Sequence, residues 1–366
     1  MNRRKAYILN RYTLADSGEY VCDVGIRDVI TAMTIEFRAT NGASGNKANP
    51  LAACITAIEL IDGSKVLYSI TGKQAFALTA YHRGFVPYEL LSEVPSNVQN
   101  LLAELQFGRW HGDTQFALDP SKFTNLQLRF KFNLAAVRAV AATAFATGTL
   151  TVTVIADVMT GAPNPIGMLT CKQYYSFTTA ASGVTYVDLP TDQLIKAVLL
   201  QSALDGYAGL AGLSNVKLTA DMDKWVGFDM RSSDVVRLMT TLNAPFVLKH
   251  QVYAKDADTY YCPLKQEESV QFTPEAGDCV VAYLNYGIGS GALNITQGGI
   301  ALGAEKMLDA KVSGWCPWNA VMLDQGEYDD PSTYLDPTQY NKLRLELTNS
   351  VVSASAAVVL EQVYPF

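Results

Sequence analysis

Charged residues and histidine are scarce in this sequence. Of its 366 residues, 17% are charged and 49% are hydrophobic, and three are histidines. Such a composition argues against intrinsic disorder, because disordered chains are rich in charge and poor in apolar side chains. The net charge of −7 argues against direct contact with nucleic acid, since binding phosphates requires a basic surface.

The usual signatures of catalytic and metal sites are missing as well. His82, His111 and His250 are not spaced as paired metal ligands, and the sequence has neither a Gly-x-Ser-x-Gly nor a Gly-x-Gly-x-x-Gly motif. His111 lies between Gly108 and Gly112, a pattern that favours a loop residue over a catalytic base. We therefore expect no catalytic residue, no cofactor and no metal ligand.

Cysteine and acidic residues give weak signals. The six cysteines, at positions 22, 54, 171, 262, 279 and 316, form no Cys-x-x-Cys pair. This spacing favours buried thiols in a reducing compartment over a disulfide framework or a zinc site. Two acidic groups could bind Ca²⁺, but neither follows EF-hand spacing, so solvated loops are expected. These groups are Asp256 with Asp258, and Asp324 with Glu327, Asp329 and Asp330.

Long apolar runs are also lacking. The stretch Val140–Ala156 is uncharged, but Gly148 and five threonines interrupt its 17 residues. That length is marginal for a membrane span, so we predict a β-hairpin that turns near Gly148.

Positive charge gathers at the start of the sequence, at Arg3, Arg4, Lys5 and Arg11. No apolar run follows these charges, so a signal peptide is not expected. They predict a solvated N-terminal arm, with contact to a membrane or to nucleic acid as the alternative.

What is present is a long-range repeat. The segment Leu118–Leu128 recurs as Leu335–Leu345 with a constant shift of 217 residues. In both copies an Asp, a preferred helix N-cap, is followed by Pro and then by Ser or Thr. One helical turn leads into Leu-x-Leu, the alternating pattern that starts a half-buried strand. A copied cap, turn and strand so far apart in one chain predicts two similar domains in tandem.

Weaker matches of alternating apolar residues, which predict strands, extend this repeat in the same order. They are Val29–Ile35 with Leu194–Leu200, Ile58-x-Leu60 with Val216-x-Leu218, Tyr68-x-Ile70 with Phe228-x-Met230, and Phe76-x-Leu78 with Val236-x-Leu238. Their shifts lie between 158 and 165, and the shift then rises from 160 to 217. The second copy therefore carries about 57 extra residues between Leu238 and Leu335. A loop of that size is tolerated, because closure entropy grows slowly with length.

Local patterns favour β-structure. Short β-branched and aromatic runs, separated by turn residues, predict antiparallel sandwiches or barrels. The clearest helical pattern runs from Asn97 to Leu105, after Pro95. The segment Gly161–Gly167 contains two prolines and two glycines, so it predicts a linker between the two domains.

Two β-rich halves in the same order, joined by a short linker, resemble the double jelly-roll major capsid proteins. The repeated Leu-Asp-Pro-[Ser/Thr] element at Leu118 and Leu335 carries the resemblance, which covers nearly the whole chain. This is the lineage of adenovirus hexon and of tailless, often membrane-containing, viruses of bacteria and archaea. It implies an all-β fold of two tandem jelly-roll β-sandwiches. Residues 1–160 would form the first with an N-terminal arm, 161–170 the linker, and 171–366 the second with a long loop insertion at about 250–323.

The resemblance also implies a function. Members of this family form homotrimers whose six jelly rolls make a pseudo-hexameric capsomer of an icosahedral shell. The chain would then be a structural, non-enzymatic protein of a virion such as a bacteriophage, assembled in the host cytoplasm. Its partners would be neighbouring capsomers and minor capsid proteins. The insertion would form an outer tower, and Arg3, Arg4 and Lys5 would lie on the inner side near an internal membrane, without direct contact to nucleic acid.

Other hypotheses remain open at this point. A tandem β-sandwich could bind a receptor or a carbohydrate through exposed Tyr and Trp side chains. A β-sandwich glycoside hydrolase would need two carboxylates, and the sequence nominates no pair. The segment Trp315–Trp318, with two Trp residues inside the insertion, predicts either a local satellite core or a subunit contact.

Overall fold

The computed structural model describes residues 2–43, 46, 50–87, 91–92, 94–134, 145–161, 164–204, 209–254, 258–261, 264–265, 269–273, 280–284, 292–297 and 306–366. Side chains are described at these positions except 91 and 249–312.

Strands make up most of the described chain. In the first half they are β1 (Asn2–Thr13), β2 (Ser17–Asp23), β3 (Val29–Thr40), β4 (Ile55–Asp62), β5 (Lys65–Ile70), β6 (Leu91–Ser92), β7 (Val98–Gln106), β8 (Leu126–Asn133) and β9 (Thr151–Thr160). The second half begins with β10 (Gly167–Thr178), β11 (Val184–Leu189), β12 (Ile195–Ala203), β13 (Leu213–Ala220) and β14 (Trp225–Arg231).

The remaining elements are further strands and three α-helices. The strands are β15 (Phe246–Ala254), β16 (Asp258–Tyr261), β17 (Leu264–Lys265), β18 (Ser269–Thr273), β19 (Val280–Leu284), β20 (Ala292–Gln297), β21 (Lys306–Gly314), β22 (Cys316–Pro317), β23 (Ala320–Asp324), β24 (Leu343–Asn349) and β25 (Ser355–Pro365). The helices are α1 (Leu51–Cys54), α2 (Gly72–Arg83) and α3 (Ser232–Leu242).

The two halves have the same sheet topology. In the first half, the N-terminal sandwich, strands β1-β9-β3-β7 face strands β2-β8-β4-β5, and Phe37 packs edge-on against Phe130 between them at 5.5 Å. In the second half, the C-terminal sandwich, the corresponding orders are β10-β25-β12-β23 and β11-β24-β13-β14. Strands therefore correspond in pairs: β1 with β10, β9 with β25, β3 with β12, β7 with β23, β2 with β11, β8 with β24, β4 with β13 and β5 with β14. Two packed four-stranded sheets in this order form a jelly roll, so the prediction of two tandem jelly-roll sandwiches is confirmed.

The repeated Asp-Pro element has the predicted local structure in both halves. Asp119 Oδ1 accepts a hydrogen bond from the Ser121 amide at 3.0 Å, and Asp336 Oδ1 accepts one from the Thr338 amide at 3.0 Å. Each Asp caps a single 3-10 turn, Pro120–Lys122 or Pro337–Gln339, which leads into β8 or β24. Proline suits the first position of such a turn, because the missing N–H would have no partner there.

Two sequence-based assignments of local structure are wrong. The predicted helix Asn97–Leu105 is mostly strand β7, whose odd-numbered side chains face the core while the even ones face outward. Several of the outward residues are also buried, so apolar residues occur on both faces and imitate a helical spacing. Conversely, Phe76-x-Leu78 and Val236-x-Leu238 do correspond to each other, but they lie in α2 and α3 rather than in strands.

The basic start of the chain is not a free arm. Residues 2–13 form β1, which pairs antiparallel with β9 from Asn2–Thr160 to Thr13–Thr151. Within the stretch 140–156, residues 140–144 lie outside the described part, and Gly148 adopts a left-handed turn with φ of +69° before β9 begins. β9 itself pairs with β1 and β3. No described helix is long and apolar enough to cross a membrane.

The insertion in the C-terminal sandwich is built on a pair of long strands. β15 and β21 pair antiparallel from Phe246–Gly314 to Ala254–Lys306, and the segments between them carry β16 to β20. β23 pairs with β12 and so belongs to the jelly-roll sheet, although residues 320–323 were assigned to the insertion. Similarly, β10 begins at Gly167, so its first four residues fall within the predicted linker 161–170.

The strands give the molecule two distinct ends. At one end Pro365 pairs with Gly167, Asn2 pairs with Thr160, and the connection between the two sandwiches runs past them. At the other end Ser355 pairs with Ala203, and Ala320 pairs with the neighbouring Gln201. The insertion rejoins the sheet at Ala320, so it leaves the molecule at the end opposite to both chain termini.

The two sandwiches share one continuous surface of contact. β5 and β10 join in parallel at Ser69 and Lys172, which merges two sheets into one of eight strands. The buried cluster of the N-terminal sandwich extends to residues on the outer face of β10-β25-β12-β23, including Cys171, Leu199 and Val359. Apolar burial at this junction contributes to stability in the same way as burial in either core.

Candidate assembly surfaces

Helix α2 lies at the junction of the two sandwiches. It starts with a capping box, because Thr71 and Gln74 each accept a hydrogen bond from the other's backbone amide, at 3.3 and 3.0 Å. It ends at Gly84, whose φ of +70° suits a left-handed cap without a side-chain clash. These caps fix the length of the helix and hence the positions of its side chains.

Gln74, Tyr81 and His82, on one face of α2, contact the C-terminal sandwich, and Ala77 and Leu78 are buried between them. We call this face the α2 stripe: Gln74, Ala77, Leu78, Tyr81 and His82, at the i, i+3, i+4, i+7 and i+8 positions of the helix. Gln74 Nε2 donates to Gln173 Oε1 at 2.6 Å. The Tyr81 hydroxyl donates to the Ala320 carbonyl at 2.8 Å, and its ring packs edge-on against Phe246 at 5.5 Å. Every side chain of the stripe is thereby withdrawn from most solvent.

His82 completes a buried charge cluster in the C-terminal sandwich. Its Nε2 lies 3.2 Å from Glu361 Oε2, and Lys196 Nζ donates to Glu361 Oε1 at 3.0 Å. All three side chains are at most 3% exposed. Burial alone would raise the pKa of Glu361, but the charges and hydrogen bonds of Lys196 and His82 outweigh it and lower that pKa to about 2. Glu361 is thus held as a carboxylate across the junction.

A second cluster lies on the N-terminal sandwich, around Asp157. Its Oδ2 accepts from Lys5 Nζ at 2.8 Å and lies 2.7 Å from His111 Nδ1. The other ring nitrogen of His111 lies 2.9 Å from Glu104 Oε1, and Arg83 donates to Glu104 Oε2 at 2.6 Å. Burial would raise the pKa values of Asp157 and Glu104, but these cationic partners and hydrogen bonds lower both. His111 does lie in a loop, as expected, yet it joins two carboxylates that are distant in sequence.

Strand register shows that Asp157 and Glu361 occupy equivalent positions. Asp157 pairs with Ala32 on β3, and Glu361 pairs with Ala197 on β12, in each case just after a bulge. Both carboxylates therefore project from the outer face of their sheet, away from the core of their own sandwich. In the C-terminal sandwich this outer face is covered by α2 and its surroundings.

The equivalent face of the N-terminal sandwich is only partly covered among the described residues, where His111 contacts Asp157 and Glu104. We call it the N-terminal outer face: Lys5, Tyr7, Glu36, Leu102, Ile155 and Asp157. By the same register its members match Cys171, Gln173, Gln201, Ala320, Val359 and Glu361. Val359 and Ala320 are fully buried, whereas Ile155 and Leu102 are half-buried and the Tyr7 side chain is 62% exposed.

Side chains of the basic start remain accessible although each is paired. Lys5 and Arg3 approach Asp157 at 2.8 and 3.7 Å, and Arg4 donates to Asp28 at 2.9 Å. The side chains of Arg3, Arg4 and Lys5 keep 45%, 51% and 67% of their exposure.

The acidic loop residues do not form a metal site within the described chain, where no group of three or more metal-ligating side chains converges. Asp329 offers its carbonyl to Arg109 at 2.5 Å, and Asp330 caps the turn Pro331–Thr333. Burial raises the pKa of Asp324. Asp256 lies outside the described residues, as do the side chains of Asp258 and His250.

The Trp315–Trp318 segment belongs to the main cores and not to a satellite cluster. Trp318 is buried and packs edge-on against Phe76 of α2 at 6.5 Å, while Cys316 is buried in the C-terminal core. The Trp315 indole donates to the Asn243 carbonyl at 3.1 Å. The predicted satellite core is therefore wrong, and a subunit contact through the half-buried Trp315 stays a prediction. Cys54 and Cys171 are also buried, Cys22 is partly exposed, and Cys262 and Cys279 lie outside the described residues.

No protein-family model matches the sequence, and no curated protein sequence matches it. The fold, however, is similar to solved structures along its whole length. The major capsid protein P2 of bacteriophage PM2 superposes with a TM-score of 0.56 at 11% identity, covering 100% of this chain and 98% of that one. The STIV major capsid protein gives 0.57 at 8% identity, with 100% and 97% coverage. PBCV-1 VP54, fitted into a reconstruction of the virophage Sputnik, gives 0.58 at 10% identity, with 99% and 93% coverage.

At such low identities the likeness concerns the fold. It agrees with the strand orders described above, which give two equivalent jelly rolls in one chain. The chain therefore has the double jelly-roll fold of these viral major capsid proteins.

Proposed function

We propose that this chain is the major capsid protein of an icosahedral virus and has no enzymatic role. The observation that carries the proposal is the end-to-end likeness to capsid proteins, in which both jelly rolls and their connection take part. It supports a shell subunit over the alternative of a receptor-binding or carbohydrate-binding tandem sandwich. The chain then associates with itself and with neighbouring subunits in the capsid of a virion.

The capsomer is a homotrimer. Three copies of a two-sandwich subunit supply six similar blocks, which approximate a hexagonal tile, and closed rings are the usual outcome of head-to-tail interfaces. Neighbouring trimers and minor capsid proteins would contact the sides of this tile, and assembly would take place in the host cytoplasm.

The two ends of the molecule would face opposite sides of the shell. The insertion between β15 and β21 would project outward as a tower. Arg3, Arg4 and Lys5, near the end that holds both termini, would face inward and contact an internal membrane. Exposed cations attract anionic headgroups, each adding about 1 kcal/mol.

The first experiment measures the assembly state of the purified chain. Light scattering coupled to size-exclusion chromatography should give three times the subunit mass of 39.8 kDa, and negative-stain electron microscopy should show hexagonal tiles or closed particles. A monomer at every concentration, with the double jelly-roll fold intact, would contradict the proposal.

Membrane contact has its own test, because it can fail while the capsid role stands. Cosedimentation with vesicles that contain anionic phospholipid should retain the wild-type protein. The variant Arg3→Gln/Arg4→Gln/Lys5→Gln should lose most of that binding, and neutral vesicles serve as the control. Equal binding of the two proteins would remove these residues from the proposal.

A further inference from the structure

Helices α2 and α3 occupy equivalent positions but have different surroundings. Helix α2 follows β5 and α3 follows β14, which are the fourth strands of equivalent sheets. The two helices correspond at a shift of 160 residues. In α2 every position from Gly72 to Ala80 except Lys73 is buried. In α3 the buried residues are Ser232, Val235, Val236 and Met239, which form one face.

The exposed face of α3 matches the α2 stripe position by position. The α3 stripe is Asp234, Arg237, Leu238, Thr241 and Leu242, equivalent to Gln74, Ala77, Leu78, Tyr81 and His82. All five residues of the α3 stripe are exposed, including Leu238 at 38% and Leu242 at 61%. Leu78, the equivalent of Leu238, is 1% exposed. Two leucines one turn apart on an open helix face are typical of a surface that a partner covers.

The matched positions also identify what covers this stripe. The α2 stripe packs against the outer face of β10-β25-β12-β23, through Gln173, Ala320 and Glu361 among others. The N-terminal outer face has the same register, with an acidic residue, Asp157, at the position of Glu361. In the single chain Lys5 and Tyr7 of this face are exposed and Leu102 and Ile155 are half-buried, whereas Asp157 is buried beside His111. One chain thus contains one junction that is already formed, between α2 and the C-terminal sandwich. It also carries the two surfaces for a second junction, the α3 stripe and the N-terminal outer face, which do not meet within the chain.

We infer that the α3 stripe of one copy docks on the N-terminal outer face of a second copy, and so repeats between subunits the junction that α2 makes within one. This inference rests on the proposed capsid function and names the surface through which its trimer closes. The partner is a second copy of this chain, because the N-terminal outer face, on the sheet β1-β9-β3-β7, has the same strand register as the surface that α2 covers.

Edge strands support the same partner. β5 and β10 meet within the chain at Ser69 and Lys172. Their counterparts, β14 and β1, are each the terminal strand of their sheet among the described elements. The positions equivalent to Ser69 and Lys172 are Asp229 and Ala6, so these two residues should lie side by side across the subunit boundary. Lys5 is the counterpart of the buried Cys171, so docking would cover it, and in the assembled trimer the proposed membrane contact would fall to Arg3 and Arg4.

The charges of the two surfaces allow this contact where Arg237 lies between Asp234 and Glu36, because these two carboxylates would otherwise repel each other. The N-terminal outer face carries Glu36 and the partly neutralised Asp157, and the α3 stripe carries Arg237 and Asp234. By equivalence with the contacts of Gln74, Asp234 would lie near Tyr7 and Glu36 of the neighbour, with Arg237 one turn away. The tyrosine hydroxyl can donate to Asp234, and Arg237 can pair with Glu36.

The first test removes the apolar part of the α3 stripe. Leu238→Glu/Leu242→Glu should convert trimers and particles to monomers by light scattering, with circular dichroism and thermal unfolding of the subunit retained. The matched control is Val352→Glu, an equally exposed apolar residue at 53% in the loop between β24 and β25, which should still assemble. Assembly of the double variant at wild-type concentrations would overturn the inference.

The second test does not depend on how the leucine variant folds. Ala6→Cys/Asp229→Cys should give a covalent trimer on a non-reducing gel after mild oxidation, since paired residues on neighbouring strands fall within disulfide reach. Each single variant should give no such ladder. If wild-type protein forms trimers but the double-cysteine variant forms no covalent trimer, this docking surface is wrong and the capsid proposal stands. If the wild-type protein never associates, the capsid proposal fails with it.

Discussion

Glu361 shows how a single buried charge ties two domains together. Its carboxylate is almost fully withdrawn from water, and its two side-chain partners come from different sandwiches, Lys196 from β12 and His82 from α2. An unpaired charge at that depth costs several kcal/mol, whereas the paired cluster is tolerated. The junction is therefore specified by charge as well as by apolar contact.

Removing one partner should be costly. We expect Lys196→Met to lower the free energy of unfolding by about 3–5 kcal/mol, because Glu361 would keep its burial but lose its closest cation. Urea unfolding followed by circular dichroism measures this. The control is Lys342→Met, which breaks an exposed pair with Asp188 at 3.0 Å and should change little. Equal effects of the two substitutions would contradict the assigned role of Lys196.

Stability should depend on acid pH through the same carboxylate. The pKa of Glu361 is about 2 in the folded chain, below an ordinary value of about 4.3. A lowered pKa stabilises the fold above the ordinary value, and that contribution is lost as pH falls toward 2. We expect the free energy of unfolding to fall less steeply between about pH 4.5 and 2 in Glu361→Gln than in wild type. Urea unfolding at a series of pH values measures both slopes, and parallel curves would count against this assignment.

Residue-scale contacts of this kind were largely hidden from sequence. His111 was placed in a loop, but nothing in its neighbourhood pointed to Asp157, which is 46 residues away. One usable signal exists in the last strands, where Val154-Ile155-Ala156-Asp157 parallels Val358-Val359-Leu360-Glu361. An acidic residue follows three apolar ones at the same point of both repeats. This pattern indicates that the two carboxylates lie at equivalent positions on the outer faces of their sheets.

At the scale of elements, the insertion is built so that it can be removed. Ala254 and Lys306 are the last paired residues of β15 and β21, so their backbones are already neighbours. A two-residue Asn-Gly loop closes an antiparallel pair of this kind in a type I′ turn.

Excision should leave the capsomer intact. A variant in which Asn-Gly replaces residues 255–305 should still form trimers, because the inferred contact surfaces lie on α3, β1 and β14, outside the excised part. Light scattering of the variant and of the full chain measures the result. Loss of association in a variant that remains folded would show that the insertion takes part in trimer contacts.

Elements with a local signal were predictable, and elements defined by tertiary burial were not. The cap and turn at Asp119 and Asp336 follow from the residues themselves, and both formed as expected. Strand β7 was taken for a helix because the residues of both its faces are buried, which removes the alternation that marks a strand. Helix α2 was missed for a related reason, since burial on nearly all sides leaves it without a polar face.

At the scale of the whole molecule, the shared core makes two sandwiches behave as one body. The buried cluster that includes Phe37 and Leu60 of the N-terminal sandwich also includes Leu199 and Trp318 of the C-terminal one. Neither sandwich can unfold alone without exposing the apolar side of the other.

Thermal unfolding should therefore show one transition. Differential scanning calorimetry of the intact chain should give a single heat-absorption peak, because the junction couples the two sandwiches. Two separated peaks would mean that the contact through α2 contributes little. The tandem arrangement itself was predictable from the repeat at Leu118 and Leu335, but this coupling was not, since the contacts that produce it join residues between 99 and 239 positions apart.

The polarity of the strands has a practical consequence for anything attached to this protein. Asn2 and Phe366 both lie near the connection between β9 and β10. The hairpin formed by β15 and β21 leaves from the opposite end of the molecule. A peptide or fluorescent protein fused to either terminus would emerge beside the other terminus, and one grafted between Ala254 and Lys306 would emerge on the reverse side. In the orientation proposed for a capsid, that difference would separate cargo packaged in the lumen from an epitope displayed to antibodies.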